Sequence, residues 1–300
     1  MAAPKWTTAD IPDQTGRVAV VTGANTGLGR ETARALAIAG AEVILAVRDT
    51  GKGAAATADI RAKAPTAKLH VQKLDLGSLA SIHAASDDLH AAHPRIDLLI
   101  NNAGVMYPPY GVTEDGFELQ FGINHLGHFA LTGLLLDTLT DVPGSRIVTV
   151  SSIGHRVGAD IHFDDLQWTK KYKPSAAYAQ SKLANLLFAY GLQHRLTAKK
   201  LPTISLGAHP GGAGTDLQRH SPMMRIMTRV GRSAAQGAEP TLRAATDPDA
   251  HGEDYYGPLR MMQTTGPAGR VDSSELSHDR ALQDRLWTVS EELTGVDYAL

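Results

Sequence analysis

The chain has 300 residues, 43% of them apolar and 20% charged, with a formal net charge of −2 at pH 7. This length and apolar content can bury one large α/β core, and the near-neutral balance gives no reason to expect nucleic acid or an anionic membrane as partner. Cysteine is absent, which excludes a disulfide framework, a thiolate zinc site and a thiol nucleophile.

In chain order, residues 1–15 read as a polar N-terminal extension without a basic-then-apolar leader pattern. No apolar run in the chain approaches membrane-spanning length, and with no cysteine the expectation is a soluble, cytoplasmic protein. Residues 17–21 (Arg-Val-Ala-Val-Val) read as a buried strand of a parallel sheet. They run into Thr22-Gly23-Ala24-Asn25-Thr26-Gly27-Leu28-Gly29 and then an alanine-rich helix, 30–39, stopped by Gly40. Further strands are expected over 41–47, 68–74, 96–100 and 146–150, and one within 201–206. Helices are expected over 53–64, 79–92, 117–140 and 175–198, with Pro65 and Pro94 as stops. Alternating strands and helices predict an α/β fold: a single doubly wound (Rossmann-type) domain spanning 1–300, its central parallel sheet flanked by helices on both faces. Residues 216–300 are expected to supply a substrate-side lid and the C-terminal segment. Ligands of such sheets bind at the carboxyl ends of the strands.

Two of these ends carry chemistry. Strand, glycine loop and helix N-terminus together cradle a dinucleotide pyrophosphate, because backbone N–H groups and the positive helix end face the anion and glycines allow close approach. The spacing Gly23, Gly27, Gly29 differs from the usual G-x-G-x-x-G. Further on, Tyr178 and Lys182 lie four apart on a predicted helix and so share a face. A phenol titrates near 10, and a relay working near pH 7 needs that lowered by roughly 3 units, about 4 kcal/mol. One unit charge at ~4 Å and an effective dielectric near 20 supplies that much.

Thr22-Gly-x-x-x-Gly-x-Gly29, Asn101-Asn102-Ala103-Gly104, Asn124, Ser152 and Tyr178-x-x-x-Lys182 together resemble the short-chain dehydrogenase/reductase family, in the family's order, over residues 16–215. Asn124-His125-Leu126-Gly127-His128-Phe129, Phe163-Asp164-Asp165-Leu166 and Gln180-Ser181-Lys182-Leu183-Ala184-Asn185 resemble its retinol-dehydrogenase-like branch. The resemblance implies an oxidoreductase with Asn124, Ser152, Tyr178 and Lys182 as catalytic residues. It implies that Asp75 and Leu76 meet the adenine, and a helix cap there is compatible with that role. It further implies that Asn102, Ala103 and Gly104 pack beside the cofactor, that Pro210, Gly211 and Thr215 reach the nicotinamide end, and that Asn124 supports a water chain to Lys182. His209 stands where the family often has Asn. Members with a membrane anchor carry an N-terminal apolar segment, which 1–15 does not match, and dimers and tetramers are common among them.

The position that resembling NAD-dependent members fill with Asp falls at Val47, followed by Arg48 and, one turn on, Lys52. Arginine offers a planar fork for a phosphate, so NADP is expected rather than NAD, unless Asp49 turns inward. The expected cofactor set is thus Gly23, Asn25, Thr26, Gly27, Leu28, Gly29, Arg48, Lys52 and the residues named above. Met106, Met223 and Met227, with Tyr107 and Tyr110, suggest an adaptable apolar pocket, with ordinary core filling an equal reading of Met223 and Met227, and His155 could touch a polar substrate group or face solvent. The substrate expected beside Ser152 and Tyr178 is therefore a lipophilic or aromatic carbonyl or alcohol. Ser152 and Tyr178 lie 26 positions apart, and the extra segment, 158–173, is expected as a solvated loop, with a cover over the site or an altered subunit contact as alternatives. Three other classes lack their signatures: an epimerase its T-G-x-x-G-x-x-G, a serine hydrolase its G-x-S-x-G, and a metal site at His125 and His128 its acid. A nucleotide-binding sensor on the same fold would keep the glycine turn and lose Tyr178 or Ser152.

Overall fold

The computed structural model describes residues 5–212 and 232–300. Eight strands form one sheet: β1 (Val18–Thr22), β2 (Glu42–Val47), β3 (Leu69–Lys73), β4 (Leu98–Asn101), β5 (Arg146–Val150), β6 (Ile204–Ala208), β7 (Tyr255–Arg260) and β8 (Thr265–Arg270). Their order is β3-β2-β1-β4-β5-β6-β7-β8. Pairing is parallel from β3 across to β7 (Val18 opposite Glu42, Ala19 opposite Leu98), and only β8 runs antiparallel. The order reverses where β4 lies beside β1, which opens a crevice at the carboxyl ends of those strands.

Apolar strand residues alternate between two covered faces. Val21, Val43, Leu45 and Ile100 pack on one side under α1 (Gly27–Ile38), α2 (Thr50–Arg61) and α8 (Ala234–Thr246). Val20, Ile44, Leu99 and Ile147 face the other side, where α3 (Leu79–Ala92), α5 (Gly127–Leu134), α7 (Pro174–Ala198) and α9 (Arg280–Thr294) lie. The strands carry apolar residues on both faces because both are covered. This is the expected doubly wound α/β architecture.

Three expectations need correction. The helix expected over 117–140 is broken into α4 (Leu119–Phe121), a π-helical turn Gly122–Leu126, α5, and α6 (Asp137–Thr140). The backbone shifts where it meets β3's exit: a Cβ at Gly127 would lie 2.5 Å from Leu76 O. Such π-turns recur at functional sites, and this one carries Asn124. Past residue 232 the chain is not merely a cover, because β7 and β8 extend the sheet. Gly257, Pro258, Gly266 and Pro267 hide these strands from a propensity reading. Finally, 158–173 is not a solvated loop. Ile161 is buried with Leu183 and Leu187, with Phe163 and Leu166 packed against them, and Gln167 Oε1 accepts from Glu118 N at 2.6 Å. Among the described residues no helix is long and apolar enough to cross a membrane.

Candidate active site

The loop after β1 is shaped by what its glycines must avoid. Gly23 has φ +67°, and a Cβ there would sit 3.0 Å from Ala103 Cα. A Cβ on Gly29 would lie 2.5 Å from both Asn102 Nδ2 and Gly23 O. Only hydrogen fits at either place, so the loop nests directly onto Asn102-Ala103, and Asn102 Nδ2 donates to Thr22 O at 2.8 Å. Above this seam a cavity of about 230 Å³ is lined by Gly23, Asn25, Thr26, Gly27, Leu28, Gly29, Arg48, Lys52, Asp75, Leu76, Asn102, Ala103 and Gly104. The glycine cradle and the open helix N-terminus suit a pyrophosphate.

Asp49 also lines this cavity, but its carboxylate is already engaged. Its carboxylate caps α2, accepting from Lys52 N at 3.0 Å, and pairs with Lys52 Nζ at 3.6 Å. Among the described residues no carboxylate pairs with the Arg48 guanidinium. Asp75 accepts from Gly77 N at 3.0 Å, while the cap of α3 belongs to Ser78. Ala46, Leu74, Val105 and Ile123 also line the cavity. These were missed because apolar residues read as core; for Ala46, Leu74 and Val105 the position beside a polar strand end was the available signal, whereas Ile123 lies on the π-helical turn.

Tyr178 and Lys182 share one face of α7, with Lys182 Nζ 5.7 Å from the phenol ring centre. Lys182 Nζ donates to Val150 O at 3.1 Å, tying it to the end of β5. Ser152 caps the short turn Ile153–Arg156, its Oγ accepting from Gly154 N at 3.1 Å. A Cβ at Gly154 would lie 3.3 Å from Tyr178 Cε1, so that turn rests against the phenol. The Tyr107 ring meets Tyr178 edge-on at 5.4 Å. Burial pushes the Tyr178 hydroxyl up to about 12, partly offset by its hydrogen bond with Ser152. Burial likewise brings Lys182 down to about 8. The expected acidification of Tyr178 by Lys182 is therefore not what the folded site shows. Desolvation is the largest influence on both groups, and the phenol carries its proton at neutral pH.

Asn124 is fully buried. Its Oδ1 accepts from Val105 N at 2.8 Å, and its Nδ2 donates to Val105 O and Ser181 Oγ, both at 3.0 Å. A Cβ on Gly104 would approach Asn124 Oδ1 to 3.0 Å and Lys182 Nζ to 3.7 Å, so Gly104 joins the cradle to the acid–base groups. Met106 lines the cradle cavity. Pro210 and Gly211 follow β6, and Gly212 N donates to Thr264 O at 2.9 Å, against the β7–β8 hairpin. Thr215, Met223 and Met227 lie outside the described residues. His155 neither reaches for substrate nor faces solvent. It is 2% exposed, with Nδ1 2.6 Å from Ser152 O and Nε2 accepting from Ser274 N at 3.1 Å, so it braces the serine turn. His125 and His128 are not paired as ligands: His125 Nε2 meets Ser290 Oγ, and His128 meets Thr22 Oγ1 and Asn124 O.

The profile of the short chain dehydrogenase family matches residues 17–225. The chain belongs to that family. As a short-chain dehydrogenase it is an oxidoreductase, and its relatives place it in the retinol-dehydrogenase-like branch. Retinol dehydrogenase 12 of Mus musculus is 41% identical over 298 residues, covering 97% of this chain and 90% of its own. Polyprenol dehydrogenase of the same organism is 43% identical, covering 95% and 86% respectively. The crystal structure of an uncharacterised protein from Mycobacterium paratuberculosis superposes with a TM-score of 0.85 at 43% identity, covering 99% of this chain and 100% of that one.

Proposed function

We propose that this short-chain dehydrogenase interconverts a carbonyl and an alcohol with NADP(H), Tyr178 acting as general acid and base. The observation that carries the reading is Tyr178, Lys182 and Ser152 gathered at the carboxyl ends of the strands, joined through Gly104 to a glycine cradle. The nicotinamide, when bound, supplies or accepts the hydride. Ser152 and Tyr178 donate hydrogen bonds to the carbonyl oxygen. Tyr178, protonated at neutral pH, gives its proton to that oxygen as charge develops. Lys182 then steadies the tyrosinate from the same helix face. Oxidation of an alcohol runs these steps in reverse.

Arg48 supports NADP over NAD. It stands at the cradle's adenosine side, while Val47 is buried and Asp49 is held by its helix cap. In this reading the chain is one catalytic domain whose C-terminal part bounds the substrate end. Retinol and polyprenol, for which the two relatives are named, are both lipophilic alcohols. A lipophilic aldehyde or alcohol is accordingly the proposed substrate class here.

The test is initial-rate assay of retinal, a polyprenal and short polar aldehydes with NADPH and with NADH, and of the alcohols with the oxidised cofactors. Turnover of the long apolar carbonyls with NADPH is expected. Preference for NADH refutes the cofactor assignment, and tight NADPH binding without turnover of any carbonyl refutes the catalytic one.

A further inference from the structure

Where β1, β4 and the π-helical turn meet lies a buried imidazole that the reaction above does not use. His128, on α5, is 1% exposed. Its Nδ1 is 3.0 Å from Asn124 O and its Nε2 is 2.9 Å from Thr22 Oγ1. A carbonyl oxygen only accepts, so the ring carries its proton on Nδ1. Burial and the Lys182 charge bring the ring down to about 4, so it is neutral and Nε2 is a bare acceptor. Thr22 must then donate to it.

Thr22 Oγ1 also accepts two amides, Asn102 N and Ala103 N, each at 2.9 Å. A hydroxyl has one proton. Its other acceptor, Ile100 O, is more distant at 3.3 Å, so the proton points to His128 and the lone pairs face the two amides. The hydrogen bonds therefore run one way: from the Asn102 and Ala103 amides to Thr22, from Thr22 to His128, and from His128 to the Asn124 carbonyl. At the far end the Asn124 side chain grips Val105 through both its backbone groups. The loop between, with Gly104 beside Lys182, is fastened at both ends. A neutral imidazole supplies a donor and an acceptor on opposite edges of one rigid ring, which an aliphatic side chain cannot.

We propose that His128 is a positioning residue, a Nδ1-protonated strut that with Thr22 and Asn124 sets where Gly104 and Val105 stand between the glycine cradle and Lys182. The proposal rests on the catalytic reading of Tyr178 and Lys182 for its kinetic consequence, but not for its tautomer or its effect on NADPH affinity. In 15N NMR spectra of the unliganded protein, the ring signals that vanish in His128→Gln should show a protonated Nδ1 and a bare Nε2 between pH 5 and 8; the opposite tautomer overturns the proposal.

Displacing the loop should lower kcat by about 10- to 100-fold in His128→Leu, since a shift of ~1 Å at the reacting groups costs that much. His128→Gln, which keeps a donor and an acceptor, should recover most of it. Thr22→Val should lose as much as His128→Leu, Thr22→Ser should not, and the Thr22→Val/His128→Leu pair should be no worse than either single change. A merely structural role predicts a lower thermal midpoint with kcat intact, and that result, or losses that multiply, overturns the proposal. Should His128→Leu fail to fold, the NMR tautomer and the contrast of Thr22→Ser with Thr22→Val decide. Should the wild type reduce no carbonyl, the functional reading fails on its own, and NADPH affinity measured by tryptophan fluorescence in the same variants then reads the strut: it should fall in His128→Leu and Thr22→Val, and unchanged affinity overturns the proposal.

Discussion

The two ends of the cleft are built on different principles. The cradle end is made of backbone: Gly23 and Gly29 bring the loop onto Asn102-Ala103, and its parts come from β1, α1 and the exit of β4. The acid–base end is made of side chains held by partners far away in the chain. His155, bonded to Ser152 O, reaches Ser274 across 119 positions, Arg156 reaches Asp272 O across 116, and Tyr172 reaches Pro108 O across 64. The first end depends on bare backbone at its glycines and on a few side chains such as Thr22, Arg48 and Asn102. The second depends on individual groups and is where one substrate can be told from another.

Variants can break that contrast. Tyr178→Phe removes the only proton donor of the proposed reaction and should lower kcat by about 10²–10⁴-fold, with NADPH affinity little changed in a binding titration. Retained turnover would show that the acid–base end does not work through this phenol.

Acid should attack the same end next. His155 is brought down to about 4 by burial, with Arg156 and His278 adding to the effect. The unfolded chain takes up that proton near pH 6.5, the folded chain only near 4, so stability is complete above 6.5 and falls as pH drops toward 4. One such group contributes about 3 kcal/mol to the loss; His125 and His209, each near 3, act in the same direction. Thermal midpoints against pH should decline over this window in the wild type and less steeply in His155→Phe. An unchanged slope would mean that His155 is protonated at little cost in the fold.

At the cradle end, Gly29→Ala pushes a methyl group against Asn102 Nδ2 and Gly23 O, both 2.5 Å away. Overpacking against backbone should cost about 3 kcal/mol, seen as a lower thermal midpoint and weaker NADPH binding together. Arg48→Ala should act more narrowly, weakening NADPH by about 2 kcal/mol, the worth of a charged hydrogen bond. NADH binding should stay level, and parallel losses for both cofactors would sink Arg48 as a phosphate ligand.

Legibility followed the same division. Strand, glycine turn, helix, and the spacing of Tyr178 and Lys182 are local patterns, and the structure puts them where a reading of period and turn chemistry puts them. Helix α9 was equally open to such a reading, since Asp279 caps it and Gly295 ends it with φ +66°; its amphipathic run was passed over. The β7–β8 hairpin was not, because prolines and glycines in its strands mask a pairing that only β6 makes favourable.

By itself, then, the order of residues determined the strand–turn–helix units of the fold, the glycine turn and the face shared by phenol and ammonium, because each follows from a pattern within about a dozen residues. Tertiary structure alone decided that burial raises Tyr178 and lowers Lys182, that His155 braces a turn, and that a π-turn interrupts a helix at Asn124. Desolvation and hydrogen-bond partnership are properties of whatever surrounds a group, and those surroundings arrive from distant parts of the chain.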